Sequence, residues 1–239
     1  MHSYTTEQWI AVDIALKASE TIRDITEAAV TARFTHRESG TVLFMPGFWD
    51  GGRNWKIRFA PTKCGSWDFS LITEGKELGL ADVTGTLLCT PYTGEHEIYR
   101  RGFVRTEPGV RHFVYDDGTP FFYLGDTHWN MAAEEFDSAG DRAGDLQTDS
   151  HFRYIVDKRA AQGFTVYQSE PIGARFQVAD GFITEEDVVG FQDFDRYFAC
   201  IADRGLVHAN AQLIFPSAAR CSIFPRNSGA VIGSTCSSL

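Results

Sequence analysis

The sequence predicts two domains of different class. An all-β sandwich of immunoglobulin-like size is expected over residues 7–105, and an α/β unit over residues 106–215. Three observations predict them. Short β-rich runs with period-two alternation fill the first hundred residues. After residue 106, helical stripes alternate with short apolar runs. Glycines sit at two equivalent helix-to-strand junctions, Gly163 and Gly205. Residues 216–239 fit neither pattern and are read as an irregular tail.

In the first unit, Trp9, Val12 and Ile14 open an apolar segment. Val30–Phe34 and Thr41–Phe44 are β-rich runs separated by Ser39-Gly40. Trp55, Ile57 and Phe59 alternate with Lys56 and Arg58, the signature of a half-buried strand, and Trp67 and Phe69 repeat it. Asp50-Gly51-Gly52 is a strong turn signal, because glycine reaches positive φ without a steric penalty. Short strands with such punctuation over about 100 residues point to a sandwich.

In the second unit, Phe121–Gly125 reads as a short buried strand. Phe152, Ile155, Val156 and Ala160 form a helical stripe that Gly163 ends, and Phe164–Gln168 is the next strand. Thr184-Glu185-Glu186-Asp187 resembles a capping box and opens a helix with Phe191, Phe194, Phe198 and Ile201 on one face. Gly205 ends it, and Leu206–Ala211 is a third strand. This βαβαβ order favours a parallel sheet, either doubly wound or a (β/α) barrel. The first strand lacks a Gly-x-Gly-x-x-Gly, so the Rossmann fingerprint is missing.

Lys plus Arg number 22 against 32 Asp plus Glu, a formal charge of −10. That excess of negative charge, with no basic stripe, argues against nucleic acid and anionic membranes as partners. With 43% hydrophobic and 23% charged residues the composition is globular, and no apolar run nears the ~18–20 residues of a membrane span. The amino end shows no basic patch before an apolar core, so no secretory signal is expected and a cytoplasmic location is. The five cysteines, 64, 89, 200, 221 and 236, are odd in number and lack a Cys-x-x-Cys pair. Free thiols in a reducing compartment are expected, with no disulfide framework or zinc knuckle.

Two stretches carry a resemblance. The first runs from Pro46-Gly47-Phe48-Trp49-Asp50-Gly51-Gly52 through Trp55–Thr62 to Gly65-Ser66-Trp67. The second comprises His112-Phe113 and Asp117–Asn130, including Gly125-Asp126-Thr127-His128-Trp129-Asn130. Together they resemble a bacterial family of apiosidase-like glycoside hydrolases that joins an immunoglobulin-like β-sandwich of unknown function to a (β/α)8 TIM-type barrel. Arg159–Phe164 and Ala202–Val207 resemble that barrel's helix-to-strand junctions. The resemblance covers residues 7–215 and implies a carbohydrate substrate, a plant-type oligosaccharide. About half of the roughly 250 residues of such a barrel follow Arg111, and three strands are recognisable where eight are needed. The expectation is therefore an incomplete barrel, a fragment inactive alone, whose acid/base and nucleophile strands are missing. The alternatives are a non-catalytic carbohydrate-binding or domain-docking module, or a truncation or frameshift product without activity.

Glycoside hydrolysis needs two carboxylates, roughly 5 Å apart for retention and 6.5–9.5 Å for inversion. Asp126, His128, Trp129 and Asn130 follow the first strand of the parallel series, and Glu170 follows the second. Both places lie on the rim where barrel active sites form. A carboxylate or imidazole can hydrogen-bond sugar hydroxyls, and an indole can stack on a pyranose. These five are the expected substrate-binding residues; the family's pattern implies that Asp126 and Glu170 bind sugar rather than break it, so no catalytic residue is assigned. Glu134 and Glu135 read as solvated loop carboxylates. Trp49, beside the Asp-Gly-Gly turn, is the candidate surface aromatic, whereas Trp55 belongs to the core. His128 beside Asp126 lacks a third ligand at convincing spacing, so neither a metal nor a cofactor is expected.

Overall fold

The computed structural model describes residues 2–23, 25–129, 131, 135–138, 149–170 and 183–210. The expected tail, Asn130 and Glu134 lie outside the described residues. The described part is mostly β, with few helices.

Seven strands form the first sheet: β1 (His2–Glu7), β2 (Val12–Lys17), β3 (Ala28–His36), β4 (Val42–Trp49), β5 (Asn54–Phe59), β6 (Gly65–Gly75) and β7 (Thr84–Thr90). Their order is β1-β7-β6-β3-β4-β5-β2, with β1 parallel to β7 and every other pair antiparallel. These strands begin at His2 and end at Thr90, earlier at both ends than the 7–105 span expected. The sheet turns on β4. Its residues up to Pro46 pair with β3, and Gly47–Trp49 pair with β5. Proline cannot extend the ladder as a donor. Gly47 then passes so close to β3 and β5 that a Cβ there would lie 2.7 Å from Ile57 Cδ1 and 3.1 Å from the Val30 carbonyl oxygen.

This bend folds the sheet over one core. Phe34 of β3 stacks on Phe59 of β5 at 3.7 Å, and Phe59 meets Trp67 of β6 edge-on at 5.4 Å. The alternation read from the sequence holds: Trp55, Ile57, Phe59, Trp67 and Phe69 are buried, and Lys56 and Arg58 point away from the core. Each such large apolar side chain contributes about 1.5–3 kcal/mol of burial. The Asp50–Gly52 turn forms as expected, with Gly51 and Gly52 at φ 88° and 55°.

A short helix, α1 (Glu97–Arg100), and a hairpin of β8 (Phe113–Val114) and β9 (Pro120–Phe121) come next. Here the structure corrects the sequence reading. Phe121–Gly125 is not one strand. Phe121 ends the antiparallel hairpin, and only Gly125 enters the parallel sheet. Phe122 and Tyr123 between them are exposed, so apolar character marked a surface connection rather than a buried strand.

The parallel sheet is β10 (Gly125–Thr127), β11 (Val166–Ser169) and β12 (Val207–Asn210), in that order. Between them lie α2 (His151–Ala161) and α3 (Glu185–Ala202). Ser150 caps α2, and Thr184 and Asp187 complete the capping box on α3. Gly163 and Gly205 adopt φ 80° and 73° at the two helix ends, as the sequence predicts. Phe152 and Val156 of α2, Phe194 and Tyr197 of α3, and Tyr167 of β11 share one cluster, so both helices cover the same face. Against the opposite face, Val166, Val207 and Ala209 pack on Tyr115, Phe121 and Phe113.

The polar stripe of α3 meets the first sheet. Glu185 Oε1 accepts from Gly52 N (2.8 Å), Gln192 Nε2 donates to Asp50 Oδ1 (3.0 Å), and Asp195 accepts from Arg58 (2.7 Å). These positions recur along one face of a helix.

Candidate functional site

Parallel strands share a direction, so β10 and β11 deliver their succeeding residues to one end of the sheet. His128 and Trp129 come directly after Thr127, and Glu170 directly after Ser169. The structure therefore brings three of the expected binding residues to one rim. Trp129 is 44% exposed. Glu170 is half-buried, and the exposed Glu135 lies in the long β10–α2 connection.

Asp126 sits differently. It lies within β10, opposite Tyr167, whose side chain belongs to the helix-side cluster. Its carboxylate pairs with the guanidinium of Arg159 on α2. Arg159 is in turn fixed by Gln162 Oε1 (2.8 Å) and lies 5.1 Å over the Phe164 ring. Asp126 thus faces the helices and ties α2 to β10. Trp49 is half-buried against the first core, and its indole N–H donates to the Gly52 carbonyl at 3.0 Å. It braces the turn. The exposed indole is Trp129, not Trp49.

Behind the rim, a polar row arises from period-two alternation, on the helix side with Asp126. The His128 main-chain N–H donates to the Gln168 carbonyl (2.8 Å), which continues the ladder beyond β10, and its Nδ1 is hydrogen-bonded to the Tyr167 hydroxyl. The fully buried Ser169 hydroxyl meets His208 Nε2 at 2.7 Å. Burial pushes the His208 imidazole down to about 4, so it is neutral at pH 7. The Phe198 ring lies 4.7 Å from it. On the opposite face, Tyr123 donates its hydroxyl proton to Gln168 Oε1 at 3.2 Å.

Residue-type reasoning missed Tyr167, Gln168, Ser169, His208 and Arg159. The alternation of Val166-Tyr167-Gln168-Ser169 against Val207-His208 held the signal for all but Arg159. Among the described residues no group of three His, Cys, Asp or Glu side chains assembles as a metal cage. A cavity of about 560 Å³ lies elsewhere, between the first sheet and α3, lined by residues such as Phe48, Trp55, Val188 and Phe191. Its charged and amide members, Asp50, Arg58, Gln192 and Asp195, are engaged in the contacts that join the two parts, whereas the buried indole N–H of Trp55 has no hydrogen-bond partner among the described residues.

Comparison with known proteins gives two family matches. Residues 107–213 match the family described as apiosidase-like, catalytic domain, and residues 5–74 match a domain of unknown function, DUF5060. No curated protein matches the chain. Among solved structures, a "putative glycoside hydrolase" from Bacteroides vulgatus ATCC 8482 superposes with a TM-score of 0.60 at 15% identity, over 88% of this chain and 41% of its own. A family 39 glycoside hydrolase from Bacteroides cellulosilyticus WH2 (10% identity, 90% of this chain, 35% of its own) matches at a TM-score of 0.23. A Bacteroides ovatus GH5 xyloglucanase in complex with a XXXG heptasaccharide (10%, 86% and 42%) also matches at 0.23. Only the first likeness bears on the fold, and this chain spans less than half of that protein. The α/β part is thus similar to an apiosidase-like catalytic domain, and the chain shares the fold of part of the Bacteroides vulgatus protein.

Proposed function

We propose that this chain carries the sugar-binding front of a glycoside hydrolase acting on plant-type oligosaccharides. In this reading the seven-stranded sheet is an immunoglobulin-like sandwich, the boundary falls near residue 106, and β10–β12 with α2 and α3 are the first strands of a (β/α)8 barrel. Two features support it: β4 passes from one half of the first sheet to the other, and both helices cover one face of the parallel sheet, whereas a doubly wound sheet has helices on both. The observation that carries the functional reading is the match of residues 107–213, which includes the rim bearing His128, Trp129 and Glu170.

The reading is binding without cleavage. Of the two carboxylates, Asp126 is spent on Arg159 and turned to the helices, and a general acid works only within hydrogen-bond reach of the leaving oxygen. Trp129 needs no such precision to stack on a sugar ring. The test is a screen of the purified chain against aryl-glycosides and cell-wall oligosaccharides, beside an Asp126→Ala, Glu170→Ala double variant. The expected result is no turnover above background, with binding that Trp129→Ala abolishes. Turnover that the double variant lacks would make Asp126 and Glu170 the catalytic pair. Binding untouched by Trp129→Ala would move the sugar site off this rim.

A further inference from the structure

Cys64 immediately precedes β6, and its neighbour Gly65 is paired directly with Cys89 of β7. Strands about 4.8 Å apart with a rise of about 3.4 Å per residue place such a diagonal pair of Cα atoms roughly 6 Å apart. A disulfide spans about 4.4–6.8 Å. In a regular strand, residues 64 and 65 would face opposite sides. Gly65 has φ 117°, outside the strand region, and this breaks the alternation. Cys64 accordingly packs against the same core that buries Cys89. Gln8 holds it there: its Oε1 accepts from Cys64 Sγ at 3.3 Å, while its main-chain N–H donates to the carbonyl of Thr90, beside Cys89, at 2.8 Å.

We propose that Cys64 and Cys89 are a modification site that closes to a reversible intramolecular disulfide joining the start of β6 to β7. The two thiols divide the work. Cys89 is 2% exposed, and its pKa is pushed up to about 12, by burial first and then by the adjacent Cys64 thiol. It stays a thiol and does not react from solvent. Cys64 is half-buried and reachable. Its thiolate attacks one sulfur of a small-molecule disulfide, forming a mixed disulfide and expelling one thiolate. Cys89 then loses its proton and attacks the Cys64 sulfur, expelling the second. The small-molecule disulfide is reduced to two thiols, and the protein dithiol is oxidised. Cys200 sits in the other core, on α3, and does not compete. The pair is a dithiol in a reducing cytoplasm and a cross-link wherever the chain meets an oxidant.

The test incubates the native full-length chain with oxidised glutathione, alkylates free thiols and maps the peptides. The expected product is a linked pair containing Cys64 and Cys89, lighter than the two free peptides by two hydrogen atoms and reopened by dithiothreitol. Closing this loop should raise the Tm of the first sheet by roughly 5–10 °C. In Cys64→Ser and Cys64→Ala variants, Cys89 should resist both glutathione and alkylation as long as the chain is folded. Two results overturn the proposal. One is a native chain that never yields the linked peptide, although the same chain in urea does. The other is a Cys89 that takes up glutathione as fast in the Cys64 variants as in the native protein.

Discussion

The seven-stranded sheet and the parallel sheet handle apolar surface in opposite ways. The first folds over itself at Pro46–Gly47, so Phe34, Phe59, Trp67 and Phe69 from three strands meet in one core. The second covers its helix side with Phe152, Val156, Tyr167, Phe194 and Tyr197, and among the described residues its other side packs on the β8–β9 hairpin and its neighbours. Phe122, Tyr123 and Trp129 are exposed around it. A sheet that bends back on itself supplies its own second layer. A parallel sheet relies on whatever its crossovers bring, and two helices cover one face.

The largest effect should come from breaking the self-sufficient core. Phe34→Ala removes a fully buried ring stacked on Phe59, which should cost about 3–5 kcal/mol. Guanidinium unfolding followed by near-ultraviolet circular dichroism would measure it. A loss under about 1 kcal/mol would mean that the stacked pair is not the centre of this core.

The next effect belongs to the parallel sheet and depends on pH. Burial lowers the His208 pKa to about 4, against about 6.5 in an unfolded chain. Because the folded value is the lower one, the unfolded chain takes up the proton first as pH falls. Stability should be unaffected above pH 6.5, fall between about 6.5 and 4, and level off below. The expected loss is on the order of 2–3 kcal/mol. His208→Gln, which can still reach Ser169 but cannot titrate, should flatten the profile of this sheet and leave the first one unchanged. A fall of the same depth in the variant would assign the pH dependence to another group.

The sequence makes Gly163 and Gly205 equivalent, and the structure separates them. Both have positive φ, which costs an L-residue about 1–2 kcal/mol. A Cβ at 163 would meet nothing within 4 Å, whereas one at 205 would lie 2.6 Å from His96 Nδ1. The His96 ring is bonded through Nε2 to the Asp203 carbonyl at 2.9 Å. Gly163→Ala should therefore cost about 1 kcal/mol and Gly205→Ala about 2, by urea melts. Equal costs would show that His96 yields freely.

The fold was legible wherever one physical signal dominated. Period two placed Trp55, Ile57 and Phe59 inside, and the capping box at Thr184 and Asp187 marked the start of α3. The signal failed where apolar character and strand geometry part company. Phe121–Gly125 is continuously apolar up to its glycine, yet its middle lies on the surface, because an apolar run has no period to say which face is covered. For the site, chain order placed His128, Trp129 and Glu170 on one rim. It gave no hint that Asp126 would turn to Arg159, since that pairing joins residues distant in sequence. Trp49 was misplaced for a local reason instead: its indole N–H donates to the backbone of the turn that was expected to expose it.

The smallest effect tests how the two parts are joined. Arg58 forks between Asp13 of β2 (2.7 and 2.8 Å) and Asp195 of α3 (2.7 and 3.0 Å). The side chains are 42%, 33% and 37% exposed, so each pair should contribute only a few tenths of a kcal/mol up to about 1. Arg58→Met keeps the stem and removes the fork. In double-mutant cycles, coupling to Asp13→Asn reports within the first sheet, and coupling to Asp195→Asn reports between the parts. Both should shrink near 1 M salt, where the screening length falls to about 3 Å. The hydrogen bonds from Arg58 hold the Asp13 carboxyl below its usual range. A depressed carboxylate stabilises above its unfolded pKa, and that contribution is lost as pH falls through the folded value. Native protein should thus lose a small increment of stability below about pH 4 that Arg58→Met has already lost, and the two acid limbs should converge. If the Asp195 coupling is zero at low salt while the Asp13 coupling survives, Arg58 belongs to the first sheet alone, and Glu185 and Gln192 must carry the polar contact with α3.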